Sequence, residues 1–189
     1  ENDSNMAELC RAKGLNIIEG SALDSLEKIS SESISIITIF HMVEHLEYTE
    51  LMKLLIQCSR VLSDNGLLII ETPSIDNLLV SSKNFYIDHT HITHINPEGL
   101  NFAIEYIGFK YVNHFYIHPG PLDNSRHSKL TRVLNGVAQD VLFLATNDNL
   151  LSSQIFDQYS EWKLDIDIGL TTLQAAIDFD LHNEKILKL

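Results

Sequence analysis

Apolar residues in the first half of the chain follow two patterns, helical spacing and short uninterrupted runs. Helical spacing, with an apolar residue every three or four positions, predicts helices over residues 6–13 and 47–62, and a short helix or turn over residues 22–29. Short runs rich in β-branched residues predict strands over residues 15–18 and 34–40, the second with the composition of a strand covered on both faces. Because helices and apolar strands alternate, the pattern favours right-handed crossovers in a mainly parallel sheet.

The alternation of helices and strands continues along the chain and is interrupted by a long irregular segment over residues 74–96. A turn at residues 64–66 precedes a buried strand over 67–70, and a later helix is predicted over 97–107. Two further strands are predicted over residues 110–117 and 140–145, with a polar loop between them. Two late strands joined by a long connection are typical of an antiparallel edge on an otherwise parallel sheet.

The last part of the chain predicts a C-terminal helical extension. Apolar residues repeat at steps of three and four over residues 155–181, in one amphipathic helix or in two. Such a stripe has to be buried against the domain, another subunit or a further segment, and we expect a two-helix hairpin that packs on a partner. The predicted organisation is a domain over residues 1–147 and an extension over 148–189, with a homo-oligomer or partner-protein contact through residues 150–189.

Composition narrows the partners that the protein can have. The chain of 189 residues has 26 acidic and 13 basic side chains, so its formal net charge is −13. This charge argues against nucleic acid or an anionic membrane surface as the main partner, because both would be repelled. Cys10 and Cys58 are too few for a disulfide framework, and no apolar run approaches the roughly 20 residues that span a bilayer. We therefore expect a cytoplasmic protein that binds a small molecule.

Polar residues follow the predicted strands at their carboxyl ends. The segment from His41 to His45 follows one strand, residues 71–73 follow the next, and Glu1 and residues 19–21 follow two earlier ones. In open α/β sheets, ligands bind outside the carboxyl ends of the strands. Taken one at a time, each of these residues is also explained as a helix cap or a turn residue. Because they occur together at four strand ends, they predict a ligand-binding site.

One short motif offers a different chemistry. His41, Glu44 and His45 match the H-x-x-E-H pattern, in which two histidines one helical turn apart bind zinc beside a glutamate base. The motif needs a continuous helix, whereas here it directly follows a predicted strand. A zinc metallopeptidase therefore stays an unfavoured alternative, and we expect no resident metal.

Longer segments resemble a known family. They read GLNIIEGSALDSL, FHMVEHLEYTELMKLLIQCSRVLSDNGLLIIETPS, NFYIDHTHITHINPEGLNFAIEYIGF and LNGVAQDVLFLA. In order and spacing they resemble class I S-adenosylmethionine-dependent methyltransferases, in particular the branch associated with bacterial surface polysaccharide and O-antigen synthesis. The resemblance covers nearly all of residues 1–145. It implies a Rossmann-like α/β fold with helices on both faces of the sheet, and methylation of an oxygen on a saccharide or saccharide-phosphate.

The resemblance also implies which residues contact the cofactor, S-adenosylmethionine. These positions are Glu1, Asn2, Ser21, Ala22, Leu23, Phe40 and His41. In the family the acidic residue that Glu1 matches binds both ribose hydroxyls, a task suited to a carboxylate because it only accepts hydrogen bonds. The loop that begins at Ser21 reads the adenine, and His41 lies near the methionine part.

Three histidines are candidate catalytic residues by the same resemblance. They are His41, His45 and His91, the last two on the acceptor side, where a histidine acts as general base for a hydroxyl or positions a phosphate oxygen. For His91 the roles of base and of structural loop residue both stay open. For His89 and His94 we expect structural roles.

The chain also departs from the family pattern. Ser21 stands where the family usually has aspartate, and neither the first strand nor its glycine-rich loop is found in the chain, which contains no G-x-G. We therefore expect a sheet that is incomplete at its N-terminus, and weak or absent cofactor binding by this chain alone. A non-catalytic module of methyltransferase fold, used for assembly through its helical extension, is the remaining alternative.

Overall fold

A computed structural model describes residues 1–118 and 138–163 of the chain. Within these ranges the strands are β1 (Ile34–Phe40), β2 (Leu62–Pro73), β3 (Tyr111–Ile117) and β4 (Asp140–Thr146). The helices are α1 (Ser4–Ala12), α2 (Ala22–Glu27), α3 (Tyr48–Val61), α4 (Pro97–Tyr106) and α5 (Asn149–Lys163). None of the helices in the described ranges has the length and apolar composition needed to cross a membrane.

The strands form one mixed sheet in the order β1-β2-β4-β3. β1 and β2 are parallel and are connected by a crossover through α3, whereas β4 lies antiparallel to both β2 and β3. The prediction that the two late strands add antiparallel pairing is therefore confirmed. Helices and strands alternate as in a Rossmann-like α/β fold, which confirms the predicted fold class. The described part of the sheet is mixed, with one parallel and two antiparallel pairings, and not mainly parallel as expected.

One face of the sheet packs against α3 and α4. Alternate residues of β2 and β4, among them Ile70 and Phe143, are at most 1% exposed and contact this layer. Leu55 of α3 and Ile104 of α4 are fully buried in the same cluster. The period of two along each strand thus meets the apolar stripe of each helix, as the sequence pattern requires.

The opposite face is covered by α5. Leu144 and Phe115 turn toward this face and pack against Ile155 and Phe156 of the helix. Helices therefore lie on both faces of the sheet, and Ile155, the first residue of the C-terminal stripe, packs partly buried against the domain itself. The remainder of the predicted hairpin, residues 164–189, and the polar loop between the late strands lie outside the described residues.

Three local expectations need correction. Residues 15–18 form no strand, because a strand needs a neighbour for its ladder of hydrogen bonds and no described strand lies beside them. β1 is not covered on both faces: it is the edge strand of the described sheet, and Ile36 and Phe40 are 59% and 54% exposed. The predicted turn at residues 64–66 is an irregularity inside β2, where Ile34 pairs with residue 62 and Ile36 with residue 67.

Candidate active site

A cavity of about 710 Å³ opens beside the amino ends of α1 and α2. It lies within the roughly 300–1,000 Å³ that is usual for small-molecule sites. Its lining comprises Glu1, Asn2, Gly20, Ser21, Ala22, Leu23, Asp24, Met42, His45, Leu46, Glu50 and Leu54. We call this the cofactor cavity. It brings together five of the seven positions expected to contact the cofactor, together with one of the three candidate catalytic histidines.

Glu1 is held at the cavity by three hydrogen bonds. Its backbone nitrogen donates to the Ile18 carbonyl at 3.0 Å, and its carbonyl accepts from the Gly20 amide at 3.0 Å. Its Oε1 atom accepts from the backbone amide of Asp3 at 2.9 Å. The second carboxylate oxygen is the acceptor that this arrangement leaves for a bound molecule. The chain from Ile18 to Gly20 therefore fixes the position of the carboxylate.

The loop after Gly20 enters the cavity at the start of α2. Ser21 is the N-cap of this helix, because its hydroxyl oxygen accepts from the Asp24 amide at 3.0 Å. The capping interpretation of Ser21 is thus observed, and its hydroxyl hydrogen is still able to donate. Leu26 at the other end of α2 is tied to α3, since its carbonyl accepts from Arg60 Nη2 at 2.8 Å. α3 therefore holds this wall of the cavity in place.

The lining also contains residues that the sequence did not indicate. It leaves out two of the seven positions that were expected to contact the cofactor. Phe40 and His41 are not part of the lining, as far as the chain is described. Met42, Leu46 and Leu54 form an apolar wall instead. Leu54 belongs to the apolar stripe of α3, and nothing in the helical pattern distinguishes a cavity wall from the protein core.

His45 and His91 form a pair beside the cofactor cavity. Their ring centroids are 4.6 Å apart in an edge-on arrangement, and His45 itself lines the cavity. The pair exists because the Glu44 carbonyl accepts backbone hydrogen bonds from Ile92 and Thr93, each at 3.0 Å. Two segments more than forty residues apart are thereby joined, and the structure brings together the two histidines expected on the acceptor side.

Each histidine of the pair is oriented by its Nδ1 atom. His91 Nδ1 lies 2.8 Å from the Phe85 carbonyl oxygen, which can only accept, so this nitrogen carries the proton. His45 Nδ1 lies 2.8 Å from Thr90 Oγ1, whose own proton goes to Asp88 Oδ1 at 2.6 Å. The hydroxyl therefore accepts from His45. In the neutral form, both rings keep a lone pair on Nε2.

Asp88 supports this arrangement electrostatically. Hydrogen bonds from the side chain and then the backbone of Thr90 lower the pKa of the Asp88 carboxyl, and the charges of His91 and His45 lower it further. Burial opposes these effects only in part. The Asp88 side chain is therefore a charged carboxylate at neutral pH, which suits it to accept the hydrogen bond of the Thr90 hydroxyl.

The other histidines of this loop take structural or exposed positions. His94 stacks on Phe85 with ring centroids 3.8 Å apart, and its Nε2 atom lies 3.1 Å from the Ser81 carbonyl. His89 is exposed. The position of His94 agrees with the structural role expected for it, whereas the role expected for His89 stays a prediction.

His41 belongs to a different group. Its Nε2 atom lies 3.4 Å from Glu71 Oε1 and 3.9 Å from Asp140 Oδ1, and its Nδ1 atom lies 3.4 Å from Glu44 Oε1. His118 approaches the same two acceptors, with Nδ1 2.9 Å from Asp140 Oδ2 and 3.6 Å from Glu71 Oε1. We call these five residues the strand-end cluster. The polar residues predicted at one edge are thus divided between the cofactor cavity and this cluster.

The division also bears on the H-x-x-E-H motif. Val43–His45 form one turn of 3-10 helix, and His41 precedes it with a φ of +47°. His41 and His45 take part in separate groups of potential metal ligands. The motif therefore lacks the helix and the shared ligation that a metallopeptidase of this kind requires.

Comparison with a protein-family model gives one match. Residues 1–70 match the family model described as "Methyltransferase domain". This segment contains every residue that lines the cofactor cavity. The comparison with curated protein sequences gives no match.

Solved structures match a larger part of the chain. A SAM-dependent methyltransferase from Archaeoglobus fulgidus is 28% identical with a TM-score of 0.67, over 77% of this chain and 73% of that one. A SAM-dependent methyltransferase from Thermotoga maritima, described as a possible histamine N-methyltransferase, is 18% identical with a TM-score of 0.57, over 78% and 72%. A Haloferax volcanii methyltransferase, solved in complex with the Trm112 activator, is 14% identical with a TM-score of 0.58, over 79% and 70%.

These comparisons agree with the architecture derived from the chain itself. The family model accounts for the cavity segment, and the solved structures account for the order of helices and strands. Residues 1–70 therefore match a methyltransferase domain, and the described part of the chain has a fold similar to that of S-adenosylmethionine-dependent methyltransferases.

Proposed function

We propose that the chain binds S-adenosylmethionine in the cofactor cavity and directs its methyl group to an oxygen of a saccharide or saccharide-phosphate. The observation that carries this proposal is the convergence of Glu1, the loop from Ser21 to Leu23, and His45 on one cavity. The choice of acceptor is supported by the sequence resemblance to the polysaccharide branch.

The chemistry of the cavity fits an adenosyl compound. Glu1 offers a carboxylate oxygen to vicinal hydroxyl groups, and Leu23, Met42 and Leu54 offer apolar contacts to a flat ring. S-adenosylmethionine supplies, when bound, a methyl group on a positively charged sulfur. The acidic residues that line the cavity, Glu1, Asp24 and Glu50, favour such a cation.

Binding should nevertheless be weak in this chain. Ser21 reads the adenine with a neutral hydroxyl where a carboxylate would form a stronger, charge-assisted hydrogen bond. The oxygen of this hydroxyl is already engaged by the Asp24 amide. Cofactor recognition then rests mainly on Glu1 and on the apolar wall.

His91 is the proposed general base, and His45 its neighbour on the acceptor side. Since Nδ1 of His91 is committed to the Phe85 carbonyl, Nε2 is available to take the proton of an acceptor hydroxyl. His91 would take the hydroxyl proton while the methyl group supplied by the bound cofactor passes to the acceptor oxygen, its bond to sulfur breaking as its bond to that oxygen forms. His45 is oriented through Thr90 and Asp88. When its ring carries a second proton, Nε2 would donate a hydrogen bond to a negatively charged acceptor atom or to a phosphate oxygen.

The proposal is tested by methyl transfer at saturating cofactor. With radiolabelled S-adenosylmethionine and a panel of saccharides and saccharide-phosphates, we expect label in an ether linkage. Substitution His91→Gln should lower the rate by about 10²-fold or more, the usual contribution of a positioned base. His89→Gln, an exposed histidine of the same loop, is the matched control and should keep the wild-type rate. Transfer only to nitrogen acceptors, or equal rates for both variants, would refute the proposal.

We also propose a cellular location and a protein contact for this activity. Cys10 and Cys58 are free thiols, as is usual in the reducing cytoplasm, where we place the reaction. Residues 150–189 are the proposed contact for a second copy or a partner protein. Light scattering of the full chain, with a strict monomer as the contradicting result, tests that contact.

A further inference from the structure

The strand-end cluster has the composition of a metal site. We propose that His41, Glu71 and Asp140 bind one divalent transition-metal ion, such as Zn²⁺ or Mn²⁺. The inference goes beyond the proposed function, because metal ligation requires neither the cofactor nor methyl transfer. It concerns a group of residues outside the lining of the cofactor cavity.

The separations within the cluster match those between ligands of one ion. Ligands at about 2.0–2.2 Å from a tetrahedral ion lie about 3.4 Å from one another. His41 Nε2 lies 3.4 Å from Glu71 Oε1 and 3.9 Å from Asp140 Oδ1. One ligand atom from each of the three residues lies within 4.8 Å of the other two. Small side-chain adjustments therefore suffice to place all three around an ion.

Glu44 supplies an independent observation. It is fully buried, and its Oε1 atom has no hydrogen-bond partner, although His41 Nδ1 lies only 3.4 Å away. Its other oxygen accepts from the Thr72 hydroxyl at 3.0 Å, which fixes the carboxylate. A histidine that binds a metal through one nitrogen commonly donates its other ring N–H to a carboxylate. Glu44 stands where that acceptor is needed and would hold the His41 ring in the ligating tautomer.

Charge favours a cation at this position. Three carboxylates, those of Glu44, Glu71 and Asp140, surround the imidazole of His41, and their side chains are at most 16% exposed. Carboxylates gathered in a poorly solvated region repel one another, and a divalent ion would offset that repulsion. His118 hydrogen-bonds Asp140 and is positioned either to orient that carboxylate or to become a fourth ligand.

The donor set selects the class of metal. An imidazole nitrogen with two carboxylates suits Zn²⁺, Mn²⁺ or Fe²⁺, whereas Mg²⁺ and Ca²⁺ prefer oxygen ligands alone. The ring of His41 is also presented by a backbone with φ +47°, and His118 by one with φ +55°, conformations that few non-glycine residues adopt. Both unusual backbone conformations direct a histidine to the same pair of carboxylates.

Calorimetric titration of the full chain with Zn²⁺, after removal of adventitious metal by a chelator, tests the proposal. We expect one ion per chain and little or no heat from Mg²⁺. Glu71→Gln and Asp140→Asn should each weaken Zn²⁺ binding at least tenfold. The matched control is Glu105→Gln, an exposed carboxylate of α4, which should bind as the wild type does.

Two further variants assign the binding site. His41→Asn removes the nitrogen ligand while asparagine tolerates the left-handed backbone, so the chain should fold but lose Zn²⁺ affinity. His91→Gln disrupts the other group of potential ligands, formed by Glu44, His45 and His91, and should leave affinity unchanged. The visible spectrum of bound Co²⁺ should change in His41→Asn and not in His91→Gln. Absence of saturable Zn²⁺ binding, or loss of binding in His91→Gln with retention in His41→Asn, would overturn the proposal. The cluster would then be explained by direct contacts between its histidines and carboxylates.

Discussion

Arg60 connects the wall of the cofactor cavity to the core of the domain. From α3 its Nη2 atom donates to the Leu26 carbonyl at 2.8 Å, and its Nη1 atom donates to the Ile29 carbonyl at 2.9 Å. Nε donates to Gln57 Oε1 at 2.7 Å, and Nη1 also reaches Ser31 Oγ at 3.2 Å. Substitution Arg60→Ala removes all of these hydrogen bonds and releases the end of α2.

The expected loss follows from the number and kind of these bonds. A hydrogen bond to a charged group contributes about 1.5–3 kcal/mol when it is buried, and partial exposure here reduces each contribution to roughly 1 kcal/mol. We therefore expect Arg60→Ala to lower the free energy of unfolding by about 2–4 kcal/mol. Arg60→Lys should recover little of it, because a single ammonium cannot reach carbonyls in two directions.

Urea unfolding, followed by circular dichroism, measures this loss. With a slope of about 2 kcal/mol per molar urea, the midpoint should fall by about 1–2 M. Arg11→Ala is the matched control, since its partner is Glu19 and both side chains are 46% exposed. Such a surface pair contributes about 0–1 kcal/mol. An Arg60→Ala midpoint equal to that of Arg11→Ala would refute the idea that the guanidinium anchors α2.

Three further predictions concern the hydrophobic core, the two thiols and the Asp88 carboxyl. Leu55 is fully buried, whereas Ile56 is 50% exposed. In urea unfolding, Leu55→Ala should lower the free energy of unfolding by about 2–5 kcal/mol and Ile56→Ala by about 0.5 kcal/mol. Similar losses in the two variants would contradict the described core. Burial raises the pKa of the Cys58 thiol to about 12, so a thiol reagent at pH 8 should label Cys10 in the native chain and Cys58 only after unfolding. Fast labelling of both native thiols would be inconsistent with this. Hydrogen bonds from Thr90 lower the pKa of the Asp88 carboxyl in the folded state. The stability that these hydrogen bonds contribute is therefore fully present above the unfolded pKa of about 3.9, and it is lost as the pH falls through the lower folded pKa. An NMR titration of the Asp88 carboxyl should give the lowered pKa, and Thr90→Val should return it toward the ordinary range; an ordinary pKa in the wild type would disprove the assigned cause.

The sequence predicted the elements of this fold better than their surroundings. The bounds of β1 were predicted from its β-branched run, and α4 from Pro97 and the following apolar stripe. The exposure of Ile36 and Phe40 was not predicted, because an apolar run reports a preference for burial and not which neighbour provides it. Residues 15–18 failed as a strand for the same reason.

The candidate site was also predicted in part. Glu1, Ser21 and His45 line one cavity, but of these three residues only His45 follows a strand within the described part of the chain. The strand-end cluster was not predicted as a group, since it depends on a long-range register. Pro73 at the end of β2 pairs with Asp140 at the start of the antiparallel β4, and this pairing brings Asp140 close to Glu71. A local pattern does not contain that information.

Titration of the full chain with S-adenosylhomocysteine measures whether the cofactor cavity binds an adenosyl compound. Saturation-transfer difference NMR suits the weak affinity that we expect, and Glu8→Gln, an exposed carboxylate of α1, is the control for Glu1→Gln. We expect saturable binding by the wild type and by Glu8→Gln. Glu1→Gln should bind at least tenfold more weakly, because it loses about 1.5–3 kcal/mol of binding free energy from hydrogen bonds to a charged group. No saturable binding by the wild type, or the same affinity for Glu1→Gln and Glu8→Gln, would contradict the claim that this cavity binds the cofactor.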